Sequence, residues 1–429
     1  MGDVTVSGAK NAVLPILAAS VMVPGIITLE NCPELLDVEN MCGILEYLGC
    51  KISRREDVLQ VDSRNLHRCS VPELWMKKLR SSIFLAGPLL ARCHQAMLSS
   101  PGGCCIGQRP IDLHCQGLSA LGASIKDYGG RMYCFAGKLR GREIRLEYPS
   151  VGATENILMA AALAEGTTVL MGAAREPEIV DLQGFLNGCG ARISGAGTST
   201  IRIEGVKTLK PTRYRIMGDR IQGGTYLMAA AITGGDVTVK GVEPFWLGQE
   251  LEVLGRMGCE IESGREEEAG SWIRLVAPEE LKSPGRVEAK PWPGFSTDLQ
   301  SPLLALCTEA EGVSEICDTV FENRFRCAEE LRKLGAEIQV EGRVAKVFGR
   351  GKTDENRMDI SEETVACEDL RGGAALVLKS LGIRGPIIVE NICHIDRGYG
   401  KFDIALTTLG ASIKKRDTYG RETTGISSK

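Results

Sequence analysis

Leu48-Gly49-Cys50-Lys51-Ile52 is a short phrase that the chain repeats five more times. It returns as Leu121-Gly122-Ala123-Ser124-Ile125, Cys189-Gly190-Ala191-Arg192-Ile193, Met257-Gly258-Cys259-Glu260-Ile261, Leu334-Gly335-Ala336-Glu337-Ile338 and Leu409-Gly410-Ala411-Ser412-Ile413. The glycines fall 73, 68, 68, 77 and 75 residues apart. Self-similarity at so even a spacing marks a repeated structural unit. Each copy reads as a helix end: periodic apolar residues before it, glycine as the left-handed stop, and an alternating strand after it.

The third copy shows the whole unit. Thr154 to Glu165 reads as a helix with Ile157, Ala160, Ala161 and Ala164 on one face, ended by Gly166. Thr167-Thr168-Val169-Leu170-Met171 reads as a strand, Pro177 to Asn187 as a second helix, and the stretches near Ala191-Arg192-Ile193 and Thr200-Ile201-Arg202-Ile203 as two more strands. The result is a β-α-β-α-β-β unit, an α/β fold class. One unit cannot close a large core, so copies must pack on one another. Six copies predict two lobes of three, with a boundary near Arg213 to Gly218. Ala-rich first helices such as Ala160-Ala161-Ala162-Leu163-Ala164 suit burial among neighbours, and ligands favour the cleft between such lobes.

At 429 residues, two domains are the default. Hydrophobic residues at 43% and charged residues at 25% are those of a globular protein. A net charge of −4 argues against a nucleic-acid binder with a broad basic surface. Sixteen cysteines are scattered with no CxxC spacing, and no signal peptide is visible, so they read as reduced thiols in a cytoplasm. No apolar run approaches the roughly 18 residues of a membrane span. His67, His94, His114 and His394 lack metal-ligand spacing, so no metal and no cofactor is expected. Gly351-Lys352-Thr353 lacks the first glycine of a phosphate loop, and no HExxH, GxSxG or Rossmann fingerprint occurs.

The stretch that invites chemistry is Pro101-Gly102-Gly103-Cys104-Cys105-Ile106-Gly107-Gln108-Arg109-Pro110-Ile111-Asp112. Its glycines allow a mobile loop, and it sets two thiols near a guanidinium, whose charge controls thiol pKa. Taken alone, it reads as a Gly-rich turn that contains cysteine. Other polar clusters stand at comparable points of other units: Lys10-Asn11, Leu79-Arg80-Ser81-Ser82, Ser150-Val151-Gly152-Ala153-Thr154, Ser296-Thr297-Asp298, Asp369-Leu370-Arg371 and His394-Ile395-Asp396-Arg397. Several immediately precede a first helix, whose N-terminal amides form an anion site. Lys10, Arg80, Arg109, Arg371 and Arg397 could then converge on a multiply charged substrate. Singly, each cation reads as a solvated surface charge; the repeat symmetry lifts the joint reading.

At these residues the chain resembles the UDP-N-acetylglucosamine enolpyruvyl transferase family. The likeness is carried by Ser7-Gly8-Ala9-Lys10-Asn11-Ala12, by Gly103-Cys104 through Arg109-Pro110-Ile111-Asp112-Leu113-His114, and by Arg175-Glu176-Pro177-Glu178-Ile179-Val180-Asp181. Val320-Phe321-Glu322-Asn323-Arg324-Phe325 and His394-Ile395-Asp396-Arg397-Gly398-Tyr399 match as well. The resemblance covers almost the whole chain. It implies a two-lobed inside-out α/β barrel, with one lobe at 10–217 and the other at 1–9 plus 218–429.

The resemblance further implies transfer of the enolpyruvyl group of phosphoenolpyruvate to the 3′-hydroxyl of UDP-N-acetylglucosamine, with release of phosphate. That is the first committed step towards peptidoglycan, and so bears on cell wall, cell shape and division. By this likeness Cys104 delivers a proton to the methylene carbon; a free thiol with a pKa near ~8.5 can hold a proton and still release it. Cys105 reads as a bystander. Asp298 is the carboxylate beside the attacking hydroxyl, as general base or orienting group. Lys10, Asn11, Arg109, Arg371 and Arg397 surround phosphoenolpyruvate, and preorganised cations are commonly the largest catalytic term. Asn11, Arg80, Arg109, Pro110, Ile111, Asp112, Leu113, Ser150, Val151, Gly152, Asp298 and Val320 take the nucleotide sugar. The implied partners are these two small molecules, with no nucleic acid or membrane, and a monomer accommodates the plan.

Three departures from the family pattern stand out. The chain reaches Ser7-Gly8 so early that the leading strand reads as absent or shortened, which bears on how the second lobe is completed. Tyr148 stands where some members carry lysine, so the diphosphate has one cation fewer. Ser296 replaces a common proline, which is expected to loosen the loop before Asp298. The sister family, 5-enolpyruvylshikimate-3-phosphate synthase, shares the units but lacks the cysteine loop. A catalytically silent paralogue that binds nucleotide sugar as a regulator is the alternative of another class, set against the intact catalytic residues.

Overall fold

All six repeat glycines adopt positive φ, between 75° and 107°. Around each, the same two backbone bonds close the preceding helix. The glycine N–H donates to the carbonyl three residues back, and the next N–H donates to the carbonyl of a leucine: Leu45, Leu118, Leu186, Leu254, Leu331 or Leu406. The twelve bonds measure 2.9 to 3.1 Å. This left-handed lock leaves no orphaned carbonyl at the turn and aims the chain into the following strand. The computed structural model describes residues 2–99, 111–266, 270–351 and 363–416.

The third unit has its first helix at Val151–Ala162, earlier than the expected Thr154 to Glu165. Ser150 explains the start, because its hydroxyl caps the helix by accepting from the Ala153 N–H at 3.4 Å. The helix closes at Leu163, and Gly166 (φ 89°) shapes the turn into the strand rather than stopping the helix. The strands Thr167–Met171, Arg192–Ser194 and Thr200–Glu204 and the helix Pro177–Gly188 fall where the pattern put them. Five units carry a four-stranded sheet with one parallel and two antiparallel pairings; the sixth carries the parallel pair Glu363–Ala366 and Ile387–Glu390. No strand follows Gly410 among the described residues, unlike the other five copies.

The layers are inverted relative to an ordinary barrel. First helices are buried nearly all round: Lys10–Ser20, Val151–Ala162, Arg220–Thr233, Thr297–Cys307 and Leu370–Leu381 expose almost nothing. The sheets lie outside with alternating burial, as in Thr200–Glu204, where Ile201 and Ile203 point inward and Thr200 and Arg202 outward. Small residues make the close helix packing possible. A Cβ on Gly224 would come within 2.5 Å of Leu299, and one on Gly87 within 2.4 Å of the Asn156 carbonyl. Apolar side chains form two cores, one drawn from residues 9–217 and one from Val4, Val6 and residues 221–406.

The leading strand is present. Gly2–Thr5 pairs in parallel with Asp236–Lys240, completing the sheet of the fourth unit from the far end of the chain. Arg213–Arg215 does the reverse and completes the first unit's sheet beside Ile26–Glu30. The two crossings lie side by side: Ala9 N donates to Met217 O at 2.8 Å and Asp219 N to Ser7 O at 2.9 Å. Glycine is required at both crossings. A Cβ on Gly8 would sit 1.8 Å from the Asn31 carbonyl oxygen, and one on Gly218 1.9 Å from that of Gly241.

A buried ion pair stands beside the crossings. Glu178, in the second helix of the third unit, accepts from Arg220 Nε at 3.0 Å and Nη2 at 3.3 Å. Nearby, Glu155 is fully buried with both carboxyl oxygens unpartnered. Burial, then the charges of Glu178 and Glu176, pushes its pKa well above the ordinary range, which favours the neutral form. No described helix is long and apolar enough to cross a membrane.

Candidate active site

Lys10 and Arg220 begin helices directly after the two crossings, so the chain path itself brings charged groups to one place. Asp219 ties them. Its carboxylate caps the second of these helices, accepting from Ile221 N and Gln222 N, and takes the Lys10 N–H at 3.1 Å. The Lys10 ammonium lies 2.7 Å from Asp37 Oδ2, and Asp37 Oδ1 accepts from Arg397 Nε at 2.9 Å. Asp37 is buried and bridges two cations 27 and 360 residues away in sequence. Burial alone would raise its pKa, but Lys10 and Arg397 outweigh that and hold it below the usual value. Burial pulls the Lys10 ammonium down; Asp37 opposes this, while Arg371 and Arg397 add to it.

A second cluster centres on Asp298. Ser296 caps its helix, with Oγ accepting from Asp298 N at 3.3 Å. Ser296 does not loosen the loop: its N–H donates to Glu250 Oε1 at 2.7 Å, an anchor that proline has no N–H to make. Asp298 Oδ2 accepts from Arg371 Nη2 at 3.0 Å and from Asn11 Nδ2 at 3.2 Å, while Oδ1 accepts from the buried Arg324. Burial would raise this carboxyl, yet Arg371 and Arg324 hold it well below the ordinary carboxylate range. A carboxylate so held is a weak proton acceptor and a strong, fixed hydrogen-bond acceptor.

The Asn11–Asp298 contact joins the two clusters across the cores. Arg371 and Arg397 belong to the same assembly, and Arg371 keeps Nε and Nη1 buried without a hydrogen-bond partner. Four cationic groups therefore face Asp37, Asp219 and Asp298: Lys10, Arg324, Arg371 and Arg397. Free helix amides contribute less than the sequence suggested, because Asp369 already accepts from the N–H groups of Arg371 and Gly372, both at 2.9 Å. Val320 is placed by Asp318, whose Oδ1 accepts its N–H at 2.8 Å and whose Oδ2 accepts from Thr297 Oγ1 at 2.6 Å.

The remaining residues lie on the first core. Arg80 opens a short 3-10 turn at Arg80–Leu85, and Ile111 precedes the helix Asp112–Ala120, which begins with Asp112 and Leu113. Val151 and Gly152 form the first turn after Ser150, and Gly152 lets that turn approach His114: a Cβ would stand 3.0 Å from the ring. His114 is a buried structural histidine whose Nδ1 lies 2.8 Å from Asn156 Nδ2. Tyr148, at the lysine position, is half-exposed; burial, then Glu176 and Asp318, raises its phenol. Cys104, Cys105, Arg109 and Pro110 lie outside the described residues.

Sequence reasoning passed over Asp37, Asp219 and Arg324. Asp37 carried one signal, an acid within the apolar run Leu35-Leu36-Asp37-Val38, and Arg324 lay within a quoted motif without a role. Asp219 stands directly before a helical pattern, as a cap does.

Known proteins show the same plan. The family model described as EPSP synthase (3-phosphoshikimate 1-carboxyvinyltransferase) matches residues 1–406. UDP-N-acetylglucosamine 1-carboxyvinyltransferase 2 of Caldanaerobacter subterraneus subsp. tengcongensis is 47% identical over 412 residues, 96% of each chain. UDP-N-acetylglucosamine 1-carboxyvinyltransferase 1 of Symbiobacterium thermophilum is 47% identical over 420 residues, 96% of this chain and 92% of that one. Among solved structures, the enolpyruvyl transferase NikO from Streptomyces tendae superposes with a TM-score of 0.84 at 25% identity, covering 96% of this chain and 95% of that one. EPSP synthase from Acinetobacter baumannii shares the fold, with a TM-score of 0.71 at 19% identity over 96% of both chains. The chain belongs to the enolpyruvyl transferases of the EPSP synthase family, alongside the UDP-N-acetylglucosamine 1-carboxyvinyltransferases.

Proposed function

We propose that this enzyme transfers the enolpyruvyl group of phosphoenolpyruvate to the 3′-hydroxyl of UDP-N-acetylglucosamine and releases phosphate, opening peptidoglycan precursor synthesis. The observation that carries the reading is the meeting of Lys10 and Asn11 from one core with Asp298, Arg371 and Arg397 from the other. We assign the lobes to 10–217 and to 1–9 plus 218–429, with both substrates between them. The names of the relatives support the substrates.

The chemistry is addition followed by elimination. Cys104 gives its thiol proton to the methylene carbon of phosphoenolpyruvate, and the sugar hydroxyl adds to the neighbouring carbon, losing its own proton. Loss of a proton from the new methyl group and departure of phosphate then restore the double bond. Asp298 accepts a hydrogen bond from the 3′-hydroxyl and orients it; its depressed pKa favours this role over proton abstraction from the ground state. Lys10, Arg109, Arg371 and Arg397 neutralise phosphate and carboxylate, with Arg397 leaving Asp37 as the substrate anion takes its place. Asn11, Arg80, the Pro110-Ile111-Asp112-Leu113 run, Ser150-Val151-Gly152 and Val320 hold the nucleotide sugar.

The cytoplasm is the compartment we assign, in keeping with described cysteines that are all free thiols. The test is phosphate release. It is expected when phosphoenolpyruvate and UDP-N-acetylglucosamine are both present, and not when shikimate 3-phosphate replaces the nucleotide sugar. Folded protein that releases no phosphate with both substrates refutes the reading.

A further inference from the structure

Tyr399 is a fully buried phenol that the reaction scheme above leaves without a part. Its ring centroid lies 5.3 Å from the guanidinium carbon of Arg371, within the range of a cation–π contact. Two neighbours hold the ring. Phe402 packs against it at 4.7 Å between centroids, tilted by 36°, and the Tyr399 hydroxyl lies 2.9 Å from Thr225 Oγ1. Thr225 spends its single proton on the Ile221 carbonyl at 2.7 Å, so the phenol donates to Thr225. Gly398 lets this turn press against the helix that carries Arg371: a Cβ there would meet Leu370 at 2.6 Å.

Arg371 is the group that needs such a platform. It is buried, one nitrogen reaches Asp298, and Nε and Nη1 carry no hydrogen-bond partner. A guanidinium held by one hydrogen bond would swing; the ring beside it restrains it while Nε and Nη1 keep no hydrogen-bond partner. We propose that Tyr399 is a positioning residue, whose ring holds the Arg371 guanidinium so that one edge stays on Asp298 and the other N–H groups stay free for the substrate anion. The proposal deepens the reading under Proposed function and rests on it for the identity of the anion. Titratable and charged groups facing Arg371 are Asp298, the Tyr399 phenol, Asp219 and Lys10, and those facing Asp298 are Arg371 and Arg324.

The experiment changes the ring's charge distribution at nearly constant shape. Phenylalanine and its mono-, di- and trifluorinated forms are placed at position 399, with Tyr399→Leu as the end point. The KM for phosphoenolpyruvate is expected to rise stepwise with fluorination, to about tenfold, while that for UDP-N-acetylglucosamine stays within about twofold. In parallel, the Asp298 carboxyl, assigned against Asp298→Asn and followed by carbon-13 resonance without substrate, is expected to titrate at progressively higher pH. A structural role alone would lower the folded yield but move neither readout along the series. The titration needs no turnover, so a wild-type protein without transferase activity would sink the proposed function and leave the Tyr399 test standing. A series flat in both readouts overturns the positioning role, as does a phosphoenolpyruvate KM that rises only with loss of the hydroxyl in Tyr399→Phe.

Discussion

Glu178→Gln removes one charge from a pair that spans the two cores. Glu178 and Arg220 are 2% and 4% exposed and meet through two bonds of 3.0 and 3.3 Å. Without the carboxylate, Arg220 remains buried, and its Nη1 already lacks a partner. Breaking a buried pair by deleting one partner costs about 3–5 kcal/mol. Glu250 and Glu176 lie close enough to offset part of that, which sets the expectation near the lower limit, about 3 kcal/mol. With a urea dependence of about 3 kcal/mol per molar, the midpoint should fall by about 1 M. The double variant Glu178→Leu, Arg220→Met removes both charges and keeps apolar volume, so its midpoint should return to within about 0.3 M of wild type. Equilibrium urea unfolding by tryptophan fluorescence and circular dichroism measures all three. A single variant as stable as wild type, or a double variant as weak as the single one, would refute the view that this pair matters through charge burial.

Other outcomes follow from the same geometry. Glu155 has a folded pKa raised by burial, so its contribution is most favourable below the unfolded value of about 4.3 and is lost as pH rises towards the folded value. Glu155→Met should therefore melt higher than wild type at pH 7, with the gain shrinking as pH falls towards about 4.3; a lower melting temperature at pH 7 would contradict a carboxyl raised by burial. Asp298→Asn keeps the shape but frees Arg371 and Arg324, and kcat should fall by about 10²- to 10⁴-fold in steady-state phosphate release. A loss below fivefold, measured the same way, would remove Asp298 from the chemistry. Fosfomycin, an epoxide that the resembled family carries on its loop thiol, should add to Cys104 in peptide mass mapping; an adduct on Cys105 would reassign the reactive thiol.

The repeat was legible because its signals are local. A glycine at positive φ, a leucine four residues before it and an alternating strand after it are properties of a few consecutive residues, and all six copies use the same lock. Lys10, Asn11, Asp298 and Arg371 were nameable for a related reason, as polar residues in short motifs at helix starts, and Arg397 as part of a short polar motif that ends a helical turn. Helix ends were harder to place. Ser150 moved one start forward by capping it, and Gly166 shaped a turn instead of a stop.

The sequence by itself determined six units, their order, the buried first helices and several of the polar residues that meet where the two cores adjoin. Tertiary structure alone decided what joins them. The leading strand read as absent or shortened because Ser7-Gly8 comes so early, yet Gly2–Thr5 is a strand because Asp236–Lys240 offers it an edge. Asp37 became the bridge between Lys10 and Arg397 only when the chain brought residue 397 beside it, across 360 positions. Ser296 was read by its side chain, while its N–H to Glu250 settled how firmly the loop is held. Local conformation is set by φ, ψ and side-chain periodicity within one turn. The partner of a buried charge or an unpaired edge is set by the path of the whole chain, which no short window contains.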